Sequence, residues 1–204
     1  MPIARLLIFA LSQISYYVDA VAVRPVLTIQ DERLYQVSEP VKKFDKGLRD
    51  LVRDMFESMA EEGGVGLAAV QIGVLKRVLV IDLVEKGFIK GAFINPHLIE
   101  ASDEMQEGEE GCLSVPGLSA ELKRPRWVKI GYQDLSGNHK IVEGEMLLAR
   151  AFLHEMDHLD GKVFVDQLEP SIHKLLAGDI DRIKHGLPVE HAVEPRYRNK
   201  KKTA

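Results

Sequence analysis

The sequence predicts an α+β protein in which mixed or antiparallel sheets pack around a central buried helix carrying His-Glu-x-x-His, with a further helix at the C-terminal side. Three observations carry this. Helical and strand-like periodicities both occur, yet they do not alternate in the regular βαβ order that a parallel sheet requires. A run of turn formers joins two neighbouring strand-like segments into a hairpin. One helical segment, Met146–Leu159, is apolar on nearly every face, as a helix surrounded by protein must be.

In chain order, the stretch after Arg24-Pro25 up to Phe44 is polar and interrupted by Pro40, which predicts an extended arm. Leu48, Leu51, Val52, Met55, Phe56 and Met59 then recur at helical spacing, and Gly63-Gly64 ends the pattern. Residues 77–83 and 127–132 are β-rich, and the turn formers of 134–138 lead from the second into a partner strand around 140–142. Pro170-Ser171 opens a last helix reaching about Lys184, with Leu175, Leu176, Ile180 and Ile183 on one side. The length of 204 residues suits one domain with tails. We place that domain at 23–187, between an N-terminal extension (1–22) and a basic, flexible tail (188–204).

The net charge of -4 offers no global footprint for nucleic acid, so DNA is not an expected partner and any contact with nucleic acid, the ribosome included, must be local, as at the basic tail. A single cysteine, Cys112, excludes an intrachain disulfide framework and points to a reducing compartment. Residues 6–11 are apolar and follow Arg5, and Ala20-Val21-Ala22 mimics a cleavage site, but Ser12, Gln13 and Ser15 cut the run short. The run is too short for a membrane span. A cytoplasmic protein is the expectation, with secretory or organellar targeting by 1–22 left open.

The strongest chemical signal is His154-Glu155-Met156-Asp157-His158 within the buried helix. Imidazoles one turn apart leave the same helix face, as two ligands of one metal ion do, and the intervening Glu reaches a water at that ion. Gly161 continues a longer three-histidine pattern, but Phe164 stands where its last ligand belongs. The third ligand therefore stays open: a downstream carboxylate such as Asp179, Asp181 or Glu190 makes a thermolysin-like site, whereas Cys112 makes a thiolate site. From the residues alone a lone Cys is more often core than ligand. Gly64-Val65-Gly66-Leu67-Ala68-Ala69-Val70-Gln71 lacks the preceding strand of a dinucleotide fingerprint and any phosphate-loop lysine. What remains there is a backbone that a ligand can approach closely, with one amide side chain.

Taken together, segments 64–71, 110–114 (Glu110-Gly111-Cys112-Leu113-Ser114) and 154–158 resemble, in order, the three motifs of peptide deformylase. The resemblance covers about 23–168. It implies Cys112, His154 and His158 as ligands of one divalent ion, natively Fe(II), with Zn(II), Ni(II) or Co(II) as alternatives compatible with a thiolate and two imidazoles. It implies Glu155 as general base and acid, with Gln71 and the Leu113 backbone N–H as donors to the developing oxyanion. The reaction implied is hydrolysis of the N-formyl group from N-formylmethionine on newly made polypeptides, releasing formate. Gly66, Val65, Leu147 and Ala151 flank the motifs and are the expected substrate-binding residues, the last three as walls of a methionine pocket. Arg150 and Asp157 read as structural partners of the site. Three positions depart from the pattern: Val70 replaces the usual Pro, Leu153 the usual Gln, and Ser119 an Arg that contacts bound peptide. His97, His139, His173 and His185 are expected at the surface.

Overall fold

The computed structural model describes residues 22–190, so the expectations for 1–21 and 191–204 lie outside the described residues. Among the described residues three α-helices, α1 (Lys46–Glu61), α2 (Met146–Leu159) and α3 (Pro170–Lys184), combine with seven strands. The strands are β1 (Gly66–Ala68), β2 (Val78–Asp82), β3 (Lys90–Ala101), β4 (Met105–Cys112), β5 (Val115–Pro125), β6 (Trp127–Gln133) and β7 (His139–Glu145). A five-stranded sheet runs in the order β1-β2-β3-β6-β7, and β4 and β5 form a separate hairpin. Every pairing between these strands is antiparallel.

The helices cover the two faces of the larger sheet. Along β2, Val78 and Val80 face the cluster built on α1, whereas Leu79 and Ile81 face the cluster around α2. All four are fully buried, which is why β2 reads as a continuous apolar run rather than an alternation. At the start of α1, the Asp45 carboxylate accepts the Leu48 N–H at 3.1 Å. The helix stops where Gly63 turns left-handed (φ 67°) and the Gly64 N–H closes onto the Met59 carbonyl at 2.8 Å.

The boundaries of α2 and α3 are those expected, and β6 and β7 form the expected hairpin. The four histidines lie exposed as expected, although His97 and His139 stand on strands. One side-chain expectation is corrected. Leu175 is 83% exposed, because α3 rests on the molecule through Ile180 and Ile183, with Leu176 only partly covered. Strands β3, β4 and β5 escaped the sequence reading because their outer faces carry charged residues and Pro96, Gly108, Pro116 and Gly117 interrupt them.

The N-terminal arm is extended as expected, apart from one 3-10 turn at Glu32–Tyr35. It is fastened at both ends. Arg24 pairs with Asp54 at 2.8 Å and its N–H reaches the Ser58 hydroxyl, while Ser38 N–H donates to the Leu159 carbonyl. Between these points Leu27 and Ile29 donate to the carbonyls of Gln71 and Ser114, so the arm braces two of the three motif segments. At the end of α2, Gly161 is left-handed (φ 71°), and a Cβ there would lie 2.6 Å from the Tyr35 carbonyl oxygen of the arm. Gly161→Ala should therefore destabilise the protein by about 1–3 kcal/mol, combining left-handed strain with the backbone contact. Urea denaturation checks this, and an unchanged midpoint would show that arm and turn relax without cost.

Candidate active site

Period-two alternation along β4 points Glu110 and Cys112 to the same inner side. A tight turn, Leu113-Ser114, follows and returns the chain into β5, pairing Cys112 with Val115. The thiol is held on several sides. Ser114 N–H lies 3.4 Å from Sγ, and Gln71 Nε2 lies 3.6 Å from Sγ and 3.2 Å from the Ser114 hydroxyl. Gln71 is itself fixed because its Oε1 accepts the Ala68 N–H at 2.7 Å.

From the other side α2 presents His154 and His158 one turn apart, with ring centroids separated by 5.1 Å. His158 Nε2 comes within 3.2 Å of Cys112 Sγ. Ligand atoms of Cys112, His154 and His158 lie within 4.8 Å of one another, and all three residues are buried. A buried cysteine sulfur and two imidazoles converging at this spacing fit a transition-metal ion. The carboxylates that the sequence offers as alternative ligands are elsewhere: Asp179 accepts the Glu190 N–H, Glu190 pairs with Arg182, and Asp181 neighbours His185. No thermolysin-like third ligand reaches the histidines among the described residues.

Glu110 organises the back of this centre. His154 Nδ1 donates to Glu110 Oε2 at 3.0 Å, which leaves Nε2 to face inward. Arg124 grips both oxygens of the same carboxylate, Nε to Oε1 at 2.8 Å and Nη2 to Oε2 at 2.9 Å, and Arg150 Nη1 reaches Oε1 at 2.7 Å. Arg124 also binds Asp157 at 2.6 Å, and Gln167 completes that end. Burial opposes ionisation of Glu110, but the bonds from Arg124 and His154 outweigh it and hold the carboxyl far below the usual range. Burial likewise works against a charged His154, yet Cys112 and Glu110 raise its basicity well above the ordinary value. Among the described residues His158 has no such carboxylate partner, and burial together with His154 pushes it well down.

A cleft opens in front of Cys112 and His154. Gly64, Val65, Gly66, Gln71, Leu113, Leu147, Ala151 and Glu155 all line it, so every residue expected at the site from the sequence is brought together. Burial pushes the Glu155 carboxyl up to about 7, and its Oε2 has no hydrogen-bond partner among the described residues.

A family model for polypeptide deformylase matches residues 23–174. The chain belongs to the polypeptide deformylase family. A peptide deformylase of Brucella suis is 43% identical over 149 residues, covering 72% of this chain and 85% of that protein. One from Acidothermus cellulolyticus is 49% identical over 155 residues, covering 76% and 83%. Among solved structures, a Legionella pneumophila peptide deformylase superposes with a TM-score of 0.74 at 40% identity, covering 80% of this chain and 96% of that one. Membership makes the chain a deformylase that removes the formyl group from N-formylmethionine on nascent peptides, and it implies a divalent metal, for which the Cys-His-His group is suited. No helix among the described residues is long and apolar enough to cross a membrane.

Of the departures from the deformylase pattern, Val70 is fully buried and Leu153 packs against the α2 core. The Ser119 hydroxyl donates to Glu109 Oε1 at 2.6 Å on the outer face of the β4–β5 hairpin. Neither neighbouring cation takes the place of the missing Arg: Arg124 is buried on Glu110 and Asp157, and Lys123 faces Glu107. The roles of Glu110 and Arg124 were not read from the sequence. A signal existed in the alternation, since Glu110 precedes Cys112 by one strand period and Arg124 ends the inward series Leu118, Ala120 and Leu122.

Gly66 is a further constraint, because an added Cβ would overlap Glu155 Oε1 and lie 2.9 Å from its Cδ. The side chain can swing away, so Gly66→Ala should cost little stability while displacing the carboxylate. We expect formate release to fall about a hundredfold, the usual penalty for an ångström of misplacement, with metal content unchanged. Wild-type turnover would show that the carboxylate position is not critical.

Proposed function

We propose that Cys112, His154 and His158 hold one divalent ion, natively Fe(II), with Glu155 as the proton carrier of deformylation. The convergence of three buried ligand atoms beside an unpartnered carboxylate oxygen carries this reading. A divalent ion bound there supplies Lewis acidity, which acidifies water and polarises the formyl carbonyl. Glu155 takes the proton from the attacking water and returns it to the departing amine, so one water and one amide become formate and a free N-terminus. A carboxyl raised to about 7 by burial is well matched to both transfers. The Leu113 backbone N–H and the Gln71 amide are the proposed donors to the oxygen on which charge develops. For Gln71 this requires one N–H to leave Ser114 or Cys112, its present partners. Val65, Leu147 and Ala151 are the proposed walls for the methionine side chain, and Gly66 allows the peptide backbone to approach the strand.

Residues 23–187 form the catalytic unit in this reading, and the protein works in the cytoplasm, where formylated nascent chains arise. The basic tail at 196–202 is proposed to touch ribosomal phosphates; truncation after Val193 that leaves low-salt ribosome co-sedimentation unaltered removes that contact from the account.

The deciding assay is formate release from formyl-Met-Ala by the metal-loaded protein. Cleavage of unformylated peptides alone would favour a protease, and metal without turnover a binding module. Glu155→Ala should keep about one metal per chain and lose 10² to 10⁴ in rate, roughly the share of general acid–base catalysis. Cys112→Ala should lose most of its metal by elemental analysis, since two ligands remain; full retention would remove the thiolate from the site. Iron is tested by storage in air, where activity should decay faster than under anaerobic conditions.

A further inference from the structure

We propose that Arg150 is a positioning residue for the metal centre, holding the β4–β5 hairpin against α2 so that Cys112 and the two histidines keep their spacing. The proposal rests on the reading that these three residues are the ligands. The centre straddles a seam: the thiolate comes from the end of the hairpin and both imidazoles come from α2. Whatever fixes the distance between hairpin and helix therefore fixes the ligand geometry.

Arg150 sits on α2 one turn before His154, on the same helix face. Its guanidinium crosses the seam to three acceptors. Nη1 donates to Glu110 Oε1 at 2.7 Å and to the Leu122 carbonyl at 2.9 Å, and Nη2 donates to the Gln106 carbonyl at 3.3 Å. It thus ties both strands of the hairpin to the helix. Glu110 is held by a single helix at two points, Oε1 by Arg150 and Oε2 by His154. Arg124 fixes the same carboxylate from β5, within the hairpin, and its own link to α2 runs through the less buried Asp157. Gly108 makes room for the crossing, because a Cβ there would lie 2.9 Å from Arg150 Nη2.

Arg150→Met keeps the length and the apolar stem and removes all three bonds. Glu110 retains Arg124, so no buried charge is orphaned and the variant should fold. Zinc affinity, measured by competition with a chromophoric chelator, should fall about ten- to a hundredfold, as for loss of other outer partners of metal ligands. The visible spectrum of the cobalt-loaded variant should also shift, reporting an altered ligand field. Arg150→Lys supplies a point charge able to serve fewer acceptors, so it should recover part of the affinity. Gly108→Ala, which crowds the guanidinium without removing it, should show a smaller loss. Wild-type zinc affinity and an unchanged cobalt spectrum in Arg150→Met, whatever happens to the melting of the metal-free protein, would overturn the proposal. If Arg150→Met does not fold, wild-type affinity in both Arg150→Lys and Gly108→Ala would overturn it equally. Failure of the unmutated protein to take up zinc would instead sink the ligand assignment.

Discussion

A carboxylate whose side chain is only 1% exposed can stay ionised only if its oxygens are saturated by donors, and Glu110 meets that condition with four hydrogen bonds. Two come from Arg124, one from Arg150 and one from His154. Buried ion pairs of this kind are weak sources of net stability, because desolvation offsets the attraction. Their value here is geometric. The cluster locks one imidazole with its Nδ1 turned away from the cleft and pins the hairpin bearing the thiolate to the helix bearing the histidines. The sheet, the arm and the two apolar cores serve to hold those two elements in that relation.

The same burial divides the labour among ionisable groups around one cleft. Glu110 is surrounded by donors and stays charged, whereas Glu155 faces the cleft with one unpartnered oxygen and is pushed toward neutrality. The first is suited to orienting a ligand, the second to exchanging protons. Gly66 permits this by leaving space where any side chain would meet the Glu155 carboxylate. Gln71 and Ser114 place N–H donors against the Cys112 sulfur and fix its position beside the two imidazoles.

Much of this was legible in the residues. Met146–Leu159 was readable to its ends because apolar residues on nearly every face, broken by Arg150 and by His-Glu-x-Asp-His, suit a buried helix and little else. The stripe of α1 and the β6–β7 hairpin followed from periodicity and turn chemistry. Cys112 was not assignable from spacing, since a lone thiol reads as core, and in the sequence only the order of three motifs points to it as a candidate ligand. Strands β3 to β5 stayed hidden because half of their side chains face solvent, which removes the apolar signal. The Glu110 cluster was hidden for a different reason: its members are joined by strand register and helix docking, neither of which is a local property of the chain.

The central claim is that one thiolate and two imidazoles bind a single ion across the seam between hairpin and helix. X-ray absorption at the zinc edge of the zinc-loaded protein tests it most directly. The account predicts one sulfur at about 2.3 Å together with nitrogens at about 2.0–2.1 Å. A first shell of nitrogen and oxygen alone would contradict it.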